Sequence, residues 1–292
     1  MKTAWVFPGQ GSQAVGMEAD LASLPVAKAR FEEAEAILGW SVLNVCQADE
    51  EKLSRTLYTQ PCLYTVETIL ADLMLEKGQA PDVVAGHSLG EYVALYAARV
   101  FDFAAGLRLV KRRAELMDGA SDGMMAAIIG GDRDQLDELL QQTPDVVLAN
   151  DNNPGQVVIS GTPDAVKTVM EALKAKRKVP LNVSGAFHSP LMQTAATEYQ
   201  TVLDPIEFAA ASIPILSNVN PEEPTQDPAT LKQQLSQQMT GSVRWRETSL
   251  KLADLGIEQV TEIGPGKVLT GLIKRTCSGM TLGNVSSTAD IA

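Results

Sequence analysis

A serine between two glycines is the clearest sign of chemistry in this 292-residue sequence. Residues 86–90 read Gly-His-Ser-Leu-Gly and fit the Gly-x-Ser-x-Gly nucleophile elbow, with Ser88 at its centre. An apolar run at residues 83–85 predicts a strand before the motif, and apolar residues at helical spacing predict a helix after it. The same string arises by chance in loops, but the flanking strand and helix argue against chance. We therefore predict that Ser88 is a nucleophile at a helix amino end, where amides favour an oxyanion.

A serine hydroxyl is a weak nucleophile until a base takes its proton, and the sequence has only two histidines. His87 is the neighbour of Ser88, and adjacent side chains on an elbow point in different directions, so we interpret it as a packing residue. We predict that His188 is the base, with a hydrogen-bonded structural histidine as the alternative. No motif singles out the group that orients His188. A carboxylate and a backbone or amide carbonyl both remain open.

One charged side chain falls on an apolar helical face. In the helix predicted for residues 101–117, Leu109 and Val110 share a face with Arg113, whereas Arg112 lies on the polar face. A guanidinium in that position needs an anionic partner, because an unpaired buried charge is costly. The partner is either an internal carboxylate or the carboxylate of a substrate, which arginine can hold with two parallel hydrogen bonds.

Two glycine-containing loops raise the alternative of nucleotide or phosphate binding. Residues 9–14 follow a strand predicted at residues 3–7 and satisfy the loose Gly-x-Gly-x-x-Ala dinucleotide fingerprint. That fingerprint also needs a second strand that ends in an acid, but Glu32 and Glu33 fall inside a predicted helix. The loop at residues 263–266 lacks the full Walker pattern, and we interpret it as a turn first and a phosphate contact second.

The order of predicted elements divides the chain into a body and an insert. Strands and helices alternate in residues 1–122 and 186–292, which predicts an α/β body with a parallel sheet whose last strand is at residues 259–262. Residues 123–185 instead predict the order βαββαβ of a ferredoxin-like unit, inserted between two glycines. Its strands are predicted at residues 124–130, 146–150, 156–161 and 179–184, and its helices at 132–142 and 163–174.

The composition excludes several classes of function. A hydrophobic content of 45% and a charged content of 21% are those of an ordinary globular protein. The net charge of −12 argues against nucleic-acid binding, and no apolar run approaches the roughly 20 residues of a membrane span. The three cysteines are widely scattered, which favours neither a disulfide framework nor a metal cluster. We therefore expect a cytoplasmic protein in a reducing compartment, without a metal or a cofactor.

Taken together, these residues resemble the malonyl-CoA:acyl carrier protein transacylases, the acyltransferases of bacterial-type (type II) fatty acid synthesis. This family resemblance implies an α/β-hydrolase-like body with a ferredoxin-like insert, acting as a stand-alone transferase rather than as a synthase module. It extends along the whole chain, through residues 7–13, 59–61, 86–90, 113, 153–156, 186–189 and 262–271.

The resemblance implies a catalytic role for five of the residues. Ser88 carries the acyl group and His188 is the general base. The backbone amides of Gln10 and Leu89 form the oxyanion hole. The backbone carbonyl of Gln238 orients the histidine.

The resemblance also implies the substrates and their selection. Malonyl-CoA and acyl carrier protein are the expected partners; nucleic acid and membranes are not. Arg113 would bind the malonyl carboxylate, and Phe187 would crowd an α-methyl group beside the acyl pocket. Two rival functions remain: a serine esterase or thioesterase that passes the acyl group to water, and a non-catalytic module that binds acyl carriers.

Overall fold

The structure is a computed structural model that describes residues 1–183 and 185–291. Within that part of the chain, no helix has the length and apolar character needed to cross a membrane. The strands are β1 Thr3–Phe7, β2 Val83–Gly86, β3 Met124–Ile129, β4 Val146–Asn153, β5 Gln156–Gly161, β6 Arg177–Pro180, β7 Ile215–Leu216, β8 Gln259–Ile263 and β9 Thr281–Val285.

Local capping signals set several helix starts. The Asp102 side chain accepts a hydrogen bond from the amide of Ala105, and Thr162 caps a helix that begins at a proline. The helices are α1 Pro25–Leu38, α2 Val42–Cys46, α3 Glu50–Ser54, α4 Thr56–Glu76, α5 Gly90–Ala97, α6 Phe103–Asp118, α7 Arg133–Gln142, α8 Pro163–Ala172, α9 Gln193–Leu203, α10 Pro228–Gln238, α11 Trp245–Asp254 and α12 Val268–Thr276, with short 3₁₀ turns at Pro190–Met192 and Thr288–Asp290.

A parallel sheet forms the centre of the body. Its strand order is β7-β2-β1-β8-β9, and every pairing is parallel. In the pairing of β1 with β2, Phe7 lies opposite Gly86 at the carboxyl ends of both strands. The loop after β1 and the elbow after β2 therefore leave the sheet side by side. This edge of a parallel sheet is where α/β proteins build their sites.

A second, antiparallel sheet stands apart from the first. Its order is β4-β5-β3-β6, and α7 and α8 pack against it around a small apolar core of their own. The elements follow in the order βαββαβ, as the sequence predicts. The fold is therefore mixed α/β, with one parallel and one separate antiparallel sheet.

The antiparallel sheet is joined to the body along β4. The Val243 amide donates to the carbonyl of Ala149 at 2.8 Å, and its carbonyl accepts from the Asp151 amide at 2.9 Å. The Asp151 carboxylate also accepts hydrogen bonds from the guanidinium groups of Arg133 and Arg246. We call this cluster of Asp151, Arg133 and Arg246 the carboxylate joint. It holds the second sheet over the carboxyl edge of the first.

Two strand predictions are wrong. Residues 259–262 are not the last parallel strand, because β9 pairs in parallel with β8 beyond it. A glycine and an asparagine interrupt the apolar run of β9, and its residues are mostly half-exposed, so it carries little strand signal. The strand predicted at residues 179–184 lies instead at Arg177–Pro180, an edge strand without a buried face. Ser184, the end of that prediction, lies outside the described residues.

Candidate active site

Ser88 occupies a strained turn between β2 and α5. Its φ of 53° lies in the left-handed region, which costs energy for a residue other than glycine. A Cβ atom on Gly86 would lie 1.9 Å from the carbonyl carbon of Gly90. A Cβ atom on Gly90 would lie 1.9 Å from the carbonyl oxygen of Phe7. Both positions therefore require glycine, and the strained turn predicted from the sequence is present.

His188 lies directly opposite the serine, although 100 residues separate them in the chain. Its Nε2 is 2.9 Å from Ser88 Oγ, and its Nδ1 is 2.9 Å from the Gln238 carbonyl and 3.1 Å from the Gly241 carbonyl. Because carbonyl oxygens only accept, Nδ1 carries the proton and Nε2 is left to accept the hydrogen bond of the serine hydroxyl. This tautomer has the base atom facing the hydroxyl.

The electrostatic setting keeps this imidazole neutral. Burial, followed by the positive charge of Arg113, lowers the pKa of His188 to about 3, while the backbone hydrogen bonds at Nδ1 act in the opposite direction. His188 is 4% exposed and also has a positive φ, of 57°. Near neutral pH the ring is therefore in the form that can take a proton.

Arg113 is a buried cation held by neutral groups. It is 1% exposed and donates from Nη1 to Gln60 Oε1 at 2.8 Å, and from Nη2 to Gln238 Oε1 and Ser88 Oγ, each at 3.0 Å. In residues 1–183 and 185–291, no carboxylate lies within ion-pairing distance of it. Its buried Nε has no hydrogen-bond partner among these residues. The alternative of an internal ion pair is thus excluded for the described chain.

Two backbone amides beside the serine are unengaged. Neither the Gln10 nor the Leu89 amide donates a hydrogen bond within the described parts of the chain. Their proximity is set by the loop after β1, since a Cβ atom on Gly9 would lie 3.6 Å from the Leu89 nitrogen. Free backbone amides, one of them at the start of α5, are the donors that an oxyanion needs.

These groups open into one cavity of about 430 Å³. Much of its apolar wall comes from the second sheet and the segment that follows it, and Phe187 belongs to this wall. The apolar lining is Leu89, Met117, Met125, Ala127, Val158, Leu181, Val183, Phe187, Val268, Leu269 and Leu272, and the polar lining includes Gln10, Gln60, Asn150, Asn152, Gln156, Lys267 and Arg275. A larger cleft of about 660 Å³, beside Gly123 and Gly185, contains neither the serine nor the histidine. We therefore place the candidate site in the smaller cavity.

The sequence analysis missed two residues that support the site. Gln60 entered only as part of the motif at residues 59–61, yet it holds Arg113. Asn218, at the end of the β7 segment, accepts from the Ser88 amide at 2.7 Å and donates to the Gly86 carbonyl. It clamps the elbow from the neighbouring strand. Gln60 lies inside α4 and Asn218 two residues after β7, and only their buried side-chain amides could have indicated a role.

His87 contributes to the contact between the two sheets rather than to the chemistry. Its Nε2 lies 2.9 Å from Asn152 Oδ1 on β4, and its ring packs against Trp245 with a centroid distance of 5.6 Å. Burial lowers its pKa. This placement agrees with its interpretation as a packing residue. Within the described residues, no group of three or more potential ligands could hold a metal ion.

The site and fold can now be compared with known proteins. The acyl transferase domain family matches residues 4–289, and the chain belongs to that family. It is 57% identical to the malonyl CoA-acyl carrier protein transacylase of Synechocystis sp. over 291 residues, which are 100% of this chain and 99% of the relative. It is 41% identical to the protein of the same name from Bacillus subtilis, with 94% and 90% covered.

Solved structures of similar proteins have the same fold as this chain. The crystal structure of the Synechocystis malonyl-CoA:ACP transacylase superposes with a TM-score of 0.98, at 57% identity, over 100% of this chain and 99% of that one. A malonyl-transacylase in complex with its type II polyketide-synthase acyl-carrier protein superposes with a TM-score of 0.94, at 40% identity, over 100% and 98%. The resemblance drawn from the motifs is confirmed.

Proposed function

We propose that this chain transfers the malonyl group from malonyl-CoA to the phosphopantetheine thiol of acyl carrier protein, and so supplies fatty acid synthesis. One observation carries the proposal. The Arg113 guanidinium is buried without an ion-pair partner among the described residues, and its Nη2 lies 3.0 Å from Ser88 Oγ. A buried cation next to an acyl-accepting hydroxyl fits an acyl group that ends in a free carboxylate.

The first half-reaction loads the enzyme. Ser88 Oγ attacks the thioester carbon of malonyl-CoA while its proton passes to His188 Nε2. The amides of Gln10 and Leu89 stabilise the tetrahedral oxyanion. The C–S bond then breaks, and His188 returns the proton to the departing sulfur, so that CoA leaves as the thiol. The product is malonyl-Ser88.

The second half-reaction runs the same steps in reverse with a new thiol. His188 Nε2 takes the proton of the phosphopantetheine thiol, and the sulfur attacks the carbonyl carbon of malonyl-Ser88. The same two amides hold the second oxyanion. When the bond to Oγ breaks, the proton returns from His188 to the serine, which completes a ping-pong cycle.

Arg113 serves specificity more than rate. With a malonyl group bound, the guanidinium gains an anionic partner, which the described residues do not provide. With an acetyl group, the charge stays buried and unpaired, which penalises acyl groups without a carboxylate. Phe187, 5% exposed on the cavity wall, supplies the second selection by crowding an α-methyl group. The Gln238 carbonyl, 2.9 Å from His188 Nδ1, holds the base in its tautomer.

The finer description of the fold belongs to the same proposal. The parallel sheet with the nucleophile elbow supports an α/β-hydrolase-like body formed by residues 1–122 and 186–292. The order β4-β5-β3-β6 with two helices supports a ferredoxin-like subdomain at residues 123–185. A reducing, cytoplasmic setting stays a prediction, and it agrees with the cysteines, which are all free.

The carrier-protein contact must overcome charge, because acyl carrier proteins are acidic as a family and this chain has a net charge of −12. A local basic patch is therefore required. Lys267 and Arg275 line the mouth of the cavity that contains Ser88, and we propose them as the contact for the phosphopantetheine arm and its carrier. On the insert, Lys176 and Arg177 are exposed, and they are the second candidate.

A serine esterase or thioesterase is the alternative function, since it needs the same elbow and base. It differs in passing the acyl group to water. Arg113 argues against a general esterase, because its buried charge disfavours neutral acyl groups. A non-catalytic carrier-binding module is disfavoured by the 2.9 Å contact between His188 Nε2 and Ser88 Oγ, which a binding module does not need.

Mass spectrometry of the intact protein tests the proposal. Incubation with malonyl-CoA should add one malonyl mass, and Ser88→Ala should abolish it. The adduct should persist in buffer and disappear when holo acyl carrier protein is added, with malonyl appearing on the carrier. Loss of the adduct in buffer alone would establish the esterase instead. Undiminished labelling of Ser88→Ala would exclude this serine as the acyl carrier.

A further inference from the structure

Glu91 is a buried acid beside the site that the mechanism above does not use. It lies in the first turn of α5, three residues after Ser88, and is 2% exposed. Its Oε2 accepts a hydrogen bond from Gln238 Nε2 at 2.6 Å and faces the Asn218 amide at 3.4 Å. A carboxylate this deeply buried is costly, so its position calls for an explanation.

The explanation lies in the side-chain amide of Gln238. Its Oε1 accepts from Arg113 Nη2 at 3.0 Å, while its Nε2 donates to the Ser88 carbonyl at 2.9 Å and to Glu91 at 2.6 Å. The two ends of an amide have the same shape but opposite polarity. A reversed amide would place its NH₂ against the guanidinium and its oxygen against two acceptors. Glu91 therefore helps to select the orientation in which the oxygen faces Arg113.

The arrangement also settles how Arg113 is held without being neutralised. Two amide oxygens, from Gln60 and Gln238, accept from its two terminal nitrogens. A carboxylate in the place of either amide would form an ion pair with the guanidinium and compete with a substrate carboxylate. Glu91 contacts Gln238 rather than Arg113. It orients the amide that holds the guanidinium, and the guanidinium stays available to a substrate carboxylate.

The charges around Glu91 agree with this placement. Burial raises its pKa, while the hydrogen bond from Gln238 and the charge of Arg113 lower it. As a carboxylate, Glu91 can only accept hydrogen bonds, so its Oε2 favours the orientation in which Gln238 Nε2 faces it.

We propose that Glu91 is a positioning residue for recognition of the substrate carboxylate: it holds the Gln238 amide with its oxygen toward Arg113, and thereby fixes the guanidinium in the acyl cavity. This inference rests on the proposed role of Arg113 in malonyl selection. It assigns no contact between Glu91 and the substrate.

The experiment compares two substitutions in the full-length protein. Glu91→Met removes the acceptor at similar length, whereas Glu91→Gln keeps an acceptor and removes the charge. The readout is the ratio of kcat/KM for malonyl-CoA and acetyl-CoA. Glu91→Met should lower this ratio about tenfold, mainly through the KM for malonyl-CoA, because one hydrogen bond to the network is lost. Glu91→Gln should stay within about threefold of the wild type.

The controls separate positioning from folding. Glu67→Met replaces another fully buried acid of the body, one without a hydrogen-bond partner among the described residues, and should leave the ratio unchanged. If Glu91→Met does not fold, Glu91→Asp withdraws the carboxylate from Gln238 and should lower the ratio in the same direction. An unchanged ratio in the variant that folds, or an equal loss in Glu91→Met and Glu91→Gln, overturns the inference.

A parallel Arg113→Ala variant distinguishes this inference from the proposed function. If Arg113→Ala leaves the malonyl-to-acetyl ratio intact, the proposed function of Arg113 fails and Glu91 has nothing to position. If Arg113→Ala collapses the ratio while the Glu91 variants do not change it, only the role of Glu91 fails.

Discussion

Two buried charged groups in this molecule differ in whether an opposite charge is paired with them. Asp151, in the carboxylate joint, is 3% exposed and lies between two guanidinium groups, with contacts of 3.0 Å to Arg246 Nε and 3.1 Å to Arg133 Nη2. Arg113, in the site, is 1% exposed; it donates hydrogen bonds to neutral oxygens and lies over the ring of Tyr92, 5.5 Å from its centroid. The same chain therefore pairs one buried charge directly and leaves the other without a counter-ion in the described residues.

The difference separates a structural charge from a recognition charge. A carboxylate that is paired with two guanidinium groups joins the two sheets and has no unpaired charge left for another ligand. A guanidinium that is supported by neutral groups keeps its charge for an incoming anion. Burial alone does not distinguish the two groups. The identity of the partners does.

The largest expected effect follows from removing the unpaired charge. Arg113→Ala should lower malonyl transfer at least about a thousandfold while acetyl transfer is kept or raised, because the buried cation and its carboxylate partner are lost together. Steady-state kcat/KM with the two acyl-CoA substrates measures this. Arg112→Ala, on the exposed face of the same helix, is the matched control and should change neither rate by more than about threefold. An equal loss for both acyl groups would make Arg113 structural.

A second change would make the site resemble the carboxylate joint. Gln60→Glu places a carboxylate oxygen where Oε1 now lies, 2.8 Å from Arg113 Nη1. The internal ion pair should compete with the malonyl carboxylate and lower its kcat/KM about a hundredfold. Acetyl transfer should fall much less, because the backbone carbonyl that orients His188 is unchanged. Malonyl transfer at the wild-type rate would contradict a free guanidinium.

The reverse change weakens the carboxylate joint. Asp151→Asn removes the charge and turns one acceptor into a donor that faces a guanidinium. The free energy of unfolding should fall by about 1–2 kcal/mol, since both arginines are partly exposed. The malonyl-to-acetyl ratio should not move. Thermal unfolding and the two kcat/KM values test this together. A change in acyl selectivity would contradict a purely structural role for Asp151.

The smallest effect concerns pH. The positive charge of Arg113 is the second cause, after burial, of the lowered pKa of His188, which is about 3. Removing that charge should raise the pKa, so the acid limb of the Ser88 acylation rate should move to higher pH in Arg113→Ala. In both proteins it should stay below 6.5, the ordinary value. Acylation by p-nitrophenyl acetate, which has no carboxylate, measures both profiles. An identical acid limb would show that Arg113 does not act on the base.

Much of the fold can be predicted from local sequence patterns. The strand predicted at residues 3–7 matches β1 Thr3–Phe7, and the one at 156–161 matches β5 Gln156–Gly161, because both combine apolar runs with clear boundaries. The half-exposed strand β9 was not predicted, and β6 was predicted at residues 179–184 instead of Arg177–Pro180. Their stability depends on partners that lie far away in the chain, so their own residues need not be apolar.

The site, like the fold, could be predicted from the sequence only in part. By itself the sequence determined the elbow around Ser88, because the strand, the Gly-x-Ser-x-Gly motif and the helix are local signals that follow one another. The Phe7 carbonyl that crowds Gly90 is brought there only by the pairing of β1 with β2. It also determined that Arg113 falls on a buried helical face, because helical periodicity is local. Only the tertiary structure decided that no carboxylate of the described chain reaches Arg113, that His188 Nε2 lies 2.9 Å from Ser88 Oγ, and that Glu91 reaches Arg113 through Gln238. The hydrogen bonds among these residues join positions 100 or more apart in the chain. They depend on how β1, β2 and the second sheet pack, which no short stretch of sequence contains.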